Sequence, residues 1–289
     1  MSGVATSMDH SPSERSPRRA PWWRRVGIAP LCAIVILAVM ILAAVFAPLV
    51  APYNPNTPDL LAALQGPSAA HPLGTDALGR DTLSRLIYGG RTTLLGPIVV
   101  ILLSTVLGLL LGVAAAWRGG SIDTVISRIV DVLFSIPGIV FALVTVAILG
   151  AGLGSVVIGL TIAYTPYAAR VIRGGALRER RMPYISAAWI QGRSGSTIAR
   201  RHLVPNIRPL ILAQAVAALG FAVIDLASMS FLGLGVQPPT PDWGLMVKSG
   251  LDSAVRGQPT EVIVASVAIA LFVGAVTVLG DRLSTGVNK

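Results

Sequence analysis

The stretch VLFSIPGIVFALVTVAILGAGLGSVVIGLTIAYTPYAA, residues 132–169, holds no charged side chain over 38 residues. One helix of that length would overshoot a bilayer core of about 30 Å nearly twofold. At its middle lies Gly150-Ala151-Gly152-Leu153-Gly154-Ser155, the composition of a tight reversal. The stretch therefore predicts a hairpin of two membrane-spanning helices. The rest of the 289-residue chain agrees: 53% of residues are hydrophobic and only 12% charged, against about a quarter charged in a soluble domain.

Working outward, Leu31 to Val50 is an uncharged run of twenty residues, enough to cross once. Another uncharged run lies within Thr92 to Trp117, with Gly108, Gly112 and Ala116 spaced to let two helix backbones approach closely. Beyond the hairpin, a fifth span is expected from about Pro209 to Phe231 and a sixth from Val262 to Gly280. The fold class is all-α: a polytopic membrane protein with about six transmembrane helices. Residues 1–27 are Ser-, Pro- and Arg-rich, a basic tail that buries too little apolar area to fold. Trp22 and Trp23 stand where an interfacial anchor would, and the run behind them reads as a retained anchor rather than a cleaved signal.

The net charge of +10 points to an anionic membrane face rather than to nucleic acid, since no aromatic strand-binding platform accompanies it. Nine Arg and one acidic residue, Glu179, fall between Arg170 and Arg208, so that segment is expected in the cytoplasm, with both termini. Arg80, Arg85 and Arg91, with Asp76 and Asp81 beside them, then fall outside, against the trend.

Phosphate-loop chemistry is excluded. The chain has two lysines, Lys248 and Lys289, neither in a Gly-x-x-x-x-Gly-Lys-Ser/Thr context. His10, His71 and His202 lie far apart, and the single Cys32 sits in an apolar run, so no metal or nucleophile constellation forms. Asp225 is a clear intramembrane carboxylate, a candidate for the translocation path or for a polar helix contact.

The most informative loop runs from Met182 to Asn206. Pro183 suits the first turn of a helix and Gly192 the residue past its end. Ser194 suits the cap of a second helix, which Pro205 would stop. Ala187 and Ala188 leave a smooth face, with Trp189 and Ile190 as bulk beside it. Such a helix fits a groove in another protein or rests on anionic lipid.

This loop resembles the Glu-Ala-Ala signature of permeases in binding-protein-dependent ABC importers: Glu-Ala-Ala, three residues, Gly, nine residues, an aliphatic, one residue, Leu-Pro. Here Ser186-Ala187-Ala188, Gly192, His202, Val204 and Pro205 fall in register, with Ser186 in place of Glu and His202 in place of the aliphatic. His71–Arg91, Ser230–Gly244 and Leu279–Leu283 are similar to segments of the C-type permease of oligopeptide and dipeptide importers. The resemblance implies a five-helix importer core preceded by an added helix: a tail 1–27, a first helix and extracytoplasmic loop 28–91, and a permease domain 92–289 with a coupling loop 174–207. It implies that Pro183, Ser186, Ala187, Ala188, Trp189, Gly192, His202 and Pro205 couple the chain to an ATPase. The partners implied are a sister permease, two ATPase subunits that carry ATP and Mg, and an extracytoplasmic solute-binding protein, with peptide as cargo and membrane lipid around it. No cofactor and no catalysis are expected in this chain. An ion-coupled secondary transporter is the alternative, resting on Asp225.

Overall fold

The computed structural model describes residues 28–287; the basic tail, Trp22 and Trp23 lie outside the described residues. Helix α1 (Ile28–Val45) is uncharged and is followed by one more turn, α2 (Ala47–Val50), with Pro48 in its first turn. The carbonyls that end α1 are bonded by Arg91, whose Nε reaches Ala44 O at 2.6 Å and whose Nη2 reaches Val45 O at 2.7 Å. A cation there satisfies orphan acceptors and complements the helix dipole.

The loop after α2 is braced by carboxylates. Asp76 accepts the backbone N–H groups of Leu78 (2.8 Å) and Arg80 (3.0 Å), and its other oxygen meets Arg80 Nε at 2.6 Å and Arg85 Nε at 3.4 Å. Gly79 turns in the left-handed region at φ 73°, where a Cβ would strike the Asp59 carbonyl. The arginines that ran against the charge trend are thus held by protein partners. Arg85 is fully buried and also donates to Pro55 O at 3.0 Å.

Asp81 caps α3 (Thr82–Arg118) by accepting from Ser84 N at 2.7 Å, and His71 Nδ1 lies 3.0 Å from its Oδ1. The helix that carries the second span therefore begins at Thr82, ten residues before the uncharged run from Thr92, and α3 runs unbroken past residue 91. The cause is the cap plus the partners that absorb Arg85 and Arg91. After α3 come α4 (Gly120–Phe134), α5 (Gly138–Leu149) and α6 (Leu153–Arg180). The reversal falls between Leu149 and Leu153, with Gly150 at φ 88°.

The third span corrects the expectation of a continuous helix from Val132. α4 and α5 meet at 83°. Pro137 pushes Ile136 out of helical conformation, so the uncharged run contains a break that charge does not reveal. α5, with 12 residues, spans about 18 Å and cannot cross by itself. Among the described residues, five helices are long and apolar enough to cross, and the bent pair makes up to six.

Along α3, Gly108 and Gly112 lie against α6: a Cβ on Gly108 would be 2.5 Å from Ala168 Cβ, and one on Gly112 2.7 Å from Ala169 O. The small-residue spacing is thus used for a close backbone crossing. After α6 come α7 (Pro183–Ile190), α8 (Gly195–Ile198), a π-helical turn (Ala199–Leu203) and α9 (Val204–Phe231). The Pro-rich run that follows leads to Asp242, which caps α10 (Trp243–Val255). Asp242 accepts from Leu245 N at 3.2 Å and from Thr93 Oγ1 at 2.7 Å. Burial pushes its carboxyl up, and those donors pull it back. Trp243 fills the space over Gly89 and Gly90 and donates Nε1–H to Leu86 O at 2.8 Å. It joins Ala44, Leu94, Val223, Met246 and Phe272 in a core closed by α11 (Thr260–Val287).

Candidate functional site

The loop between α6 and α9 forms as its residues dictate. Pro183 stands in the first turn of α7, where its missing N–H costs nothing. Gly192 takes φ 72° just past the end. Ser194 caps α8 by accepting from Thr197 N at 3.4 Å. Pro205 departs from expectation: it opens α9 rather than stopping a helix. The preceding π-helical turn lets Val204 N–H bond Ala199 O, so the chain passes the proline without ending. The second element of the loop is therefore continuous with a membrane span.

α7 is pinned by its inner face. Ile185, Ala188 and Ile198 are buried together against Trp117, the last aromatic of α3. Trp117 stacks on Trp189 at 5.9 Å with the planes 12° apart. Arg180 lies over the Trp117 ring at 5.7 Å and donates to Ala116 O at 2.7 Å. Ala188 is thus 5% exposed and faces inward, so the smooth outward face expected of the Ala pair belongs to Ala187 only. An eight-residue helix with two alanines gives little periodicity from which to choose the face. Ser186, Ala187 and Ile190 face outward, Ile190 at 88% exposure, with Trp189 half exposed at 50%.

A polar latch closes the other end. Tyr184 donates its hydroxyl to Glu179 Oε1, and Asn206 Nδ2 donates to Tyr184 Oη at 2.6 Å and to Glu179 Oε1 at 3.3 Å. Partial burial, then the bond to Glu179, raises the Tyr184 phenol above its usual range, which keeps it a donor. His202 is half-buried, 3.3 Å from Arg193 Nη1, with its ring 6.3 Å from that of Tyr184. Trp117 and Tyr184 were not singled out from the sequence, and Glu179 and Asn206 were named there without this contact. The one signal was a tryptophan ending an apolar run, which reads equally as an interfacial anchor.

Asp225 lies apart from this loop. Tyr164 of α6 donates to its Oδ2 at 2.8 Å, a polar contact between two spans. Both residues line a cavity of about 500 Å³ where α4 breaks into α5. Nearby, Arg173 grips Asp123 through two bonds of 2.5 and 2.6 Å, and Arg170 meets Asp131 at 2.6 Å. These tie α4 to α6.

Comparison with known proteins bears on the whole chain. The profile of the binding-protein-dependent transport system inner membrane component family matches residues 105–289. That of the N-terminal TM domain of oligopeptide transport permease C matches residues 30–67. The chain is 39% identical over 271 residues to a glutathione transport system permease protein of Pectobacterium atrosepticum, covering 92% of this chain and 90% of that one. It is 36% identical to a probable D,D-dipeptide transport system permease protein of Escherichia coli K12, covering 79% and 77%. A putative peptide transport system permease protein of Brucella suis is also 36% identical, covering 86% and 84%. Among solved structures, an inward-facing MetNI methionine ABC transporter chain shares the fold: TM-score 0.58, 23% identity, 71% of this chain and 97% of that chain. A chain of apolar spans joined by an Arg-rich helical loop, matched along its length in this way, belongs to the binding-protein-dependent transport system inner membrane components, the permease subunits of ABC importers.

Proposed function

We propose that this permease carries peptides inward across the cytoplasmic membrane by alternating access, in an assembly with a sister permease, two ATPase subunits and an extracytoplasmic solute-binding protein. ATP and Mg belong to the ATPase subunits, and the energy of hydrolysis reaches this chain through the loop 174–207. Residues 92–289 are the importer unit, with 28–91 an added helix and loop and 1–27 a cytoplasmic tail. Peptide cargo is favoured by the relatives, named for glutathione, D,D-dipeptide and peptide transport. Both termini and the loop face the cytoplasm, in keeping with nine Arg between Arg170 and Arg208. The ion-coupled alternative finds no support in the family.

One observation carries the coupling reading. α7 turns Ile185 and Ala188 into the protein and leaves Ser186, Ala187 and Ile190 bare. A short helix with a fixed inner face and an unpartnered apolar outer face suits a groove of a partner protein. The π-helical turn joins α8 to α9 without a break, and α7 packs on α8 through Ile185, Ala188 and Ile198, so a push on α7 reaches a span. Ser186 offers no carboxylate, so contact on this face rests on shape and apolar area. The test is copurification from native membranes. An ATPase should accompany the unaltered chain and be lost with Ala187→Glu, while the spans still insert. An ATPase retained at full stoichiometry with Ala187→Glu would remove α7 from the coupling contact.

A further inference from the structure

Helical rise sets the cavity at the α4–α5 break near mid-membrane. Tyr164 is eleven residues from Leu153 at the start of α6, about 16 Å by helical rise, or half of a core of about 30 Å. A lipid headgroup does not reach that depth. Among apolar walls, Tyr164, Tyr167 and Phe221 line the cavity with Asp225, and Tyr167 and Phe221 are 42% and 68% exposed within the chain. The carboxylate has one oxygen engaged, Oδ2, by the Tyr164 hydroxyl. Among the described residues its Oδ1 meets no donor and no cation pairs with it. Arg170, which lies over the ring of the lining residue Phe134 at 4.3 Å, is bound to Asp131 at 2.6 Å.

A carboxylate with a spare oxygen, sharing a cavity with three aromatic side chains near mid-membrane, complements an organic ammonium. The spare lone pairs accept its N–H groups and the rings attract its charge. A cation crossing this zone without a counter-charge pays a heavy desolvation penalty. Resting on the peptide-import reading, we propose that Asp225, with Tyr164, Tyr167 and Phe221, forms a waypoint for the ammonium group of the cargo in the translocation path. The Tyr164 bond is then a positioning contact that aims the carboxylate and leaves Oδ1 for the cargo.

Asp225→Asn separates this role from a helix contact, because the amide oxygen still accepts from Tyr164 while the charge is lost. The experiment uses the assembly with its ATPases and binding protein in proteoliposomes. The probes are tri-alanine, N-acetyl-tri-alanine and N-acetyl-Ala-Ala-Lys, each at a concentration that saturates the binding protein. The readout is ATP-dependent uptake of each cargo relative to the acetylated tripeptide. In Asp225→Asn the preference for tri-alanine should fall roughly tenfold, the worth of one charge-assisted bond, and Asp225→Glu should restore part of it. A parallel fall for N-acetyl-Ala-Ala-Lys assigns the site to any ammonium; no fall there assigns it to the amino terminus. An unchanged preference in an assembly that elutes intact overturns the inference. No ATP-dependent uptake of any probe by the unaltered assembly overturns the peptide reading, and the inference with it.

Discussion

Replacing Trp117 by Ala should detach the loop 182–206 from the bundle. Full removal of a core Trp costs about 3–5 kcal/mol. Trp117 is half-buried, which brings the burial share to roughly 2 kcal/mol. The stack on Trp189 at 5.9 Å and 12° adds about 0.5–1.5 kcal/mol beyond area. The sum, about 2.5–3.5 kcal/mol, raises the undocked population roughly 70- to 370-fold. The assay is amide hydrogen exchange on the purified assembly. Amides from Ile185 to Ile198 should exchange faster by that factor, while those around Val223 to Ala227, packed in α9 far from the loop, hold their protection. Trp117→Phe, which keeps a ring on the cluster, should show a small part of the effect. ATP hydrolysis should continue with less cargo moved per ATP. Unchanged protection from Ile185 to Ile198 in Trp117→Ala would refute the claim that Trp117 fixes this loop.

Ala188→Glu would bury a charge among Ile185, Ile198 and Trp117, so the loop should become sensitive to limited proteolysis after Arg181 or Arg193. Insensitivity would mean that Ala188 does not face inward. Gly108→Ala places a Cβ 2.5 Å from Ala168 Cβ and 2.8 Å from Ala169 N. Overpacking of about 1–3 kcal/mol should outweigh the roughly 1 kcal/mol gained in helix propensity and lower the melting temperature; a rise would show that α3 and α6 have room. Asp242→Ala leaves Thr93 Oγ1 and Leu245 N without their acceptor and should cost about 2–4 kcal/mol, read as a lower midpoint in thermal unfolding, with Asp242→Asn recovering part. With Cys32 replaced, a cysteine substituted for Ser194 should react with an impermeant reagent from the cytoplasmic side only, and one substituted for Thr240 from outside only; the opposite at either site overturns the orientation.

What was legible in the sequence was local. Pro183, Gly192 and Ser194 state their helix positions through backbone chemistry, and Gly150 marks the hairpin because a reversal there needs a positive φ. What was not legible depends on partners distant in the chain. Arg85 and Arg91 read as charges that resist the outside, yet Asp76, Pro55 O and the end of α1 absorb them. The uncharged run around Pro137 hides an 83° bend, because charge reports partition into lipid and not backbone continuity. Pro205 signals a stop only where the ladder is α-helical, and here a π-helical turn precedes it. Ala188 fits either face of a short helix. Tyr164 and Asp225 are 61 residues apart, and only the packing of α6 on α9 joins them.

The central claim, that this chain is a permease worked by ATP on other subunits, is tested most directly by uptake into proteoliposomes with ATP and the pH gradient varied separately. The assembly with its ATPases and binding protein should import peptide when ATP is present and no ion gradient exists, and the purified chain by itself should hydrolyse no ATP. Uptake driven by a pH gradient without ATP, and abolished in Asp225→Asn for acetylated and free peptides alike, would contradict the account.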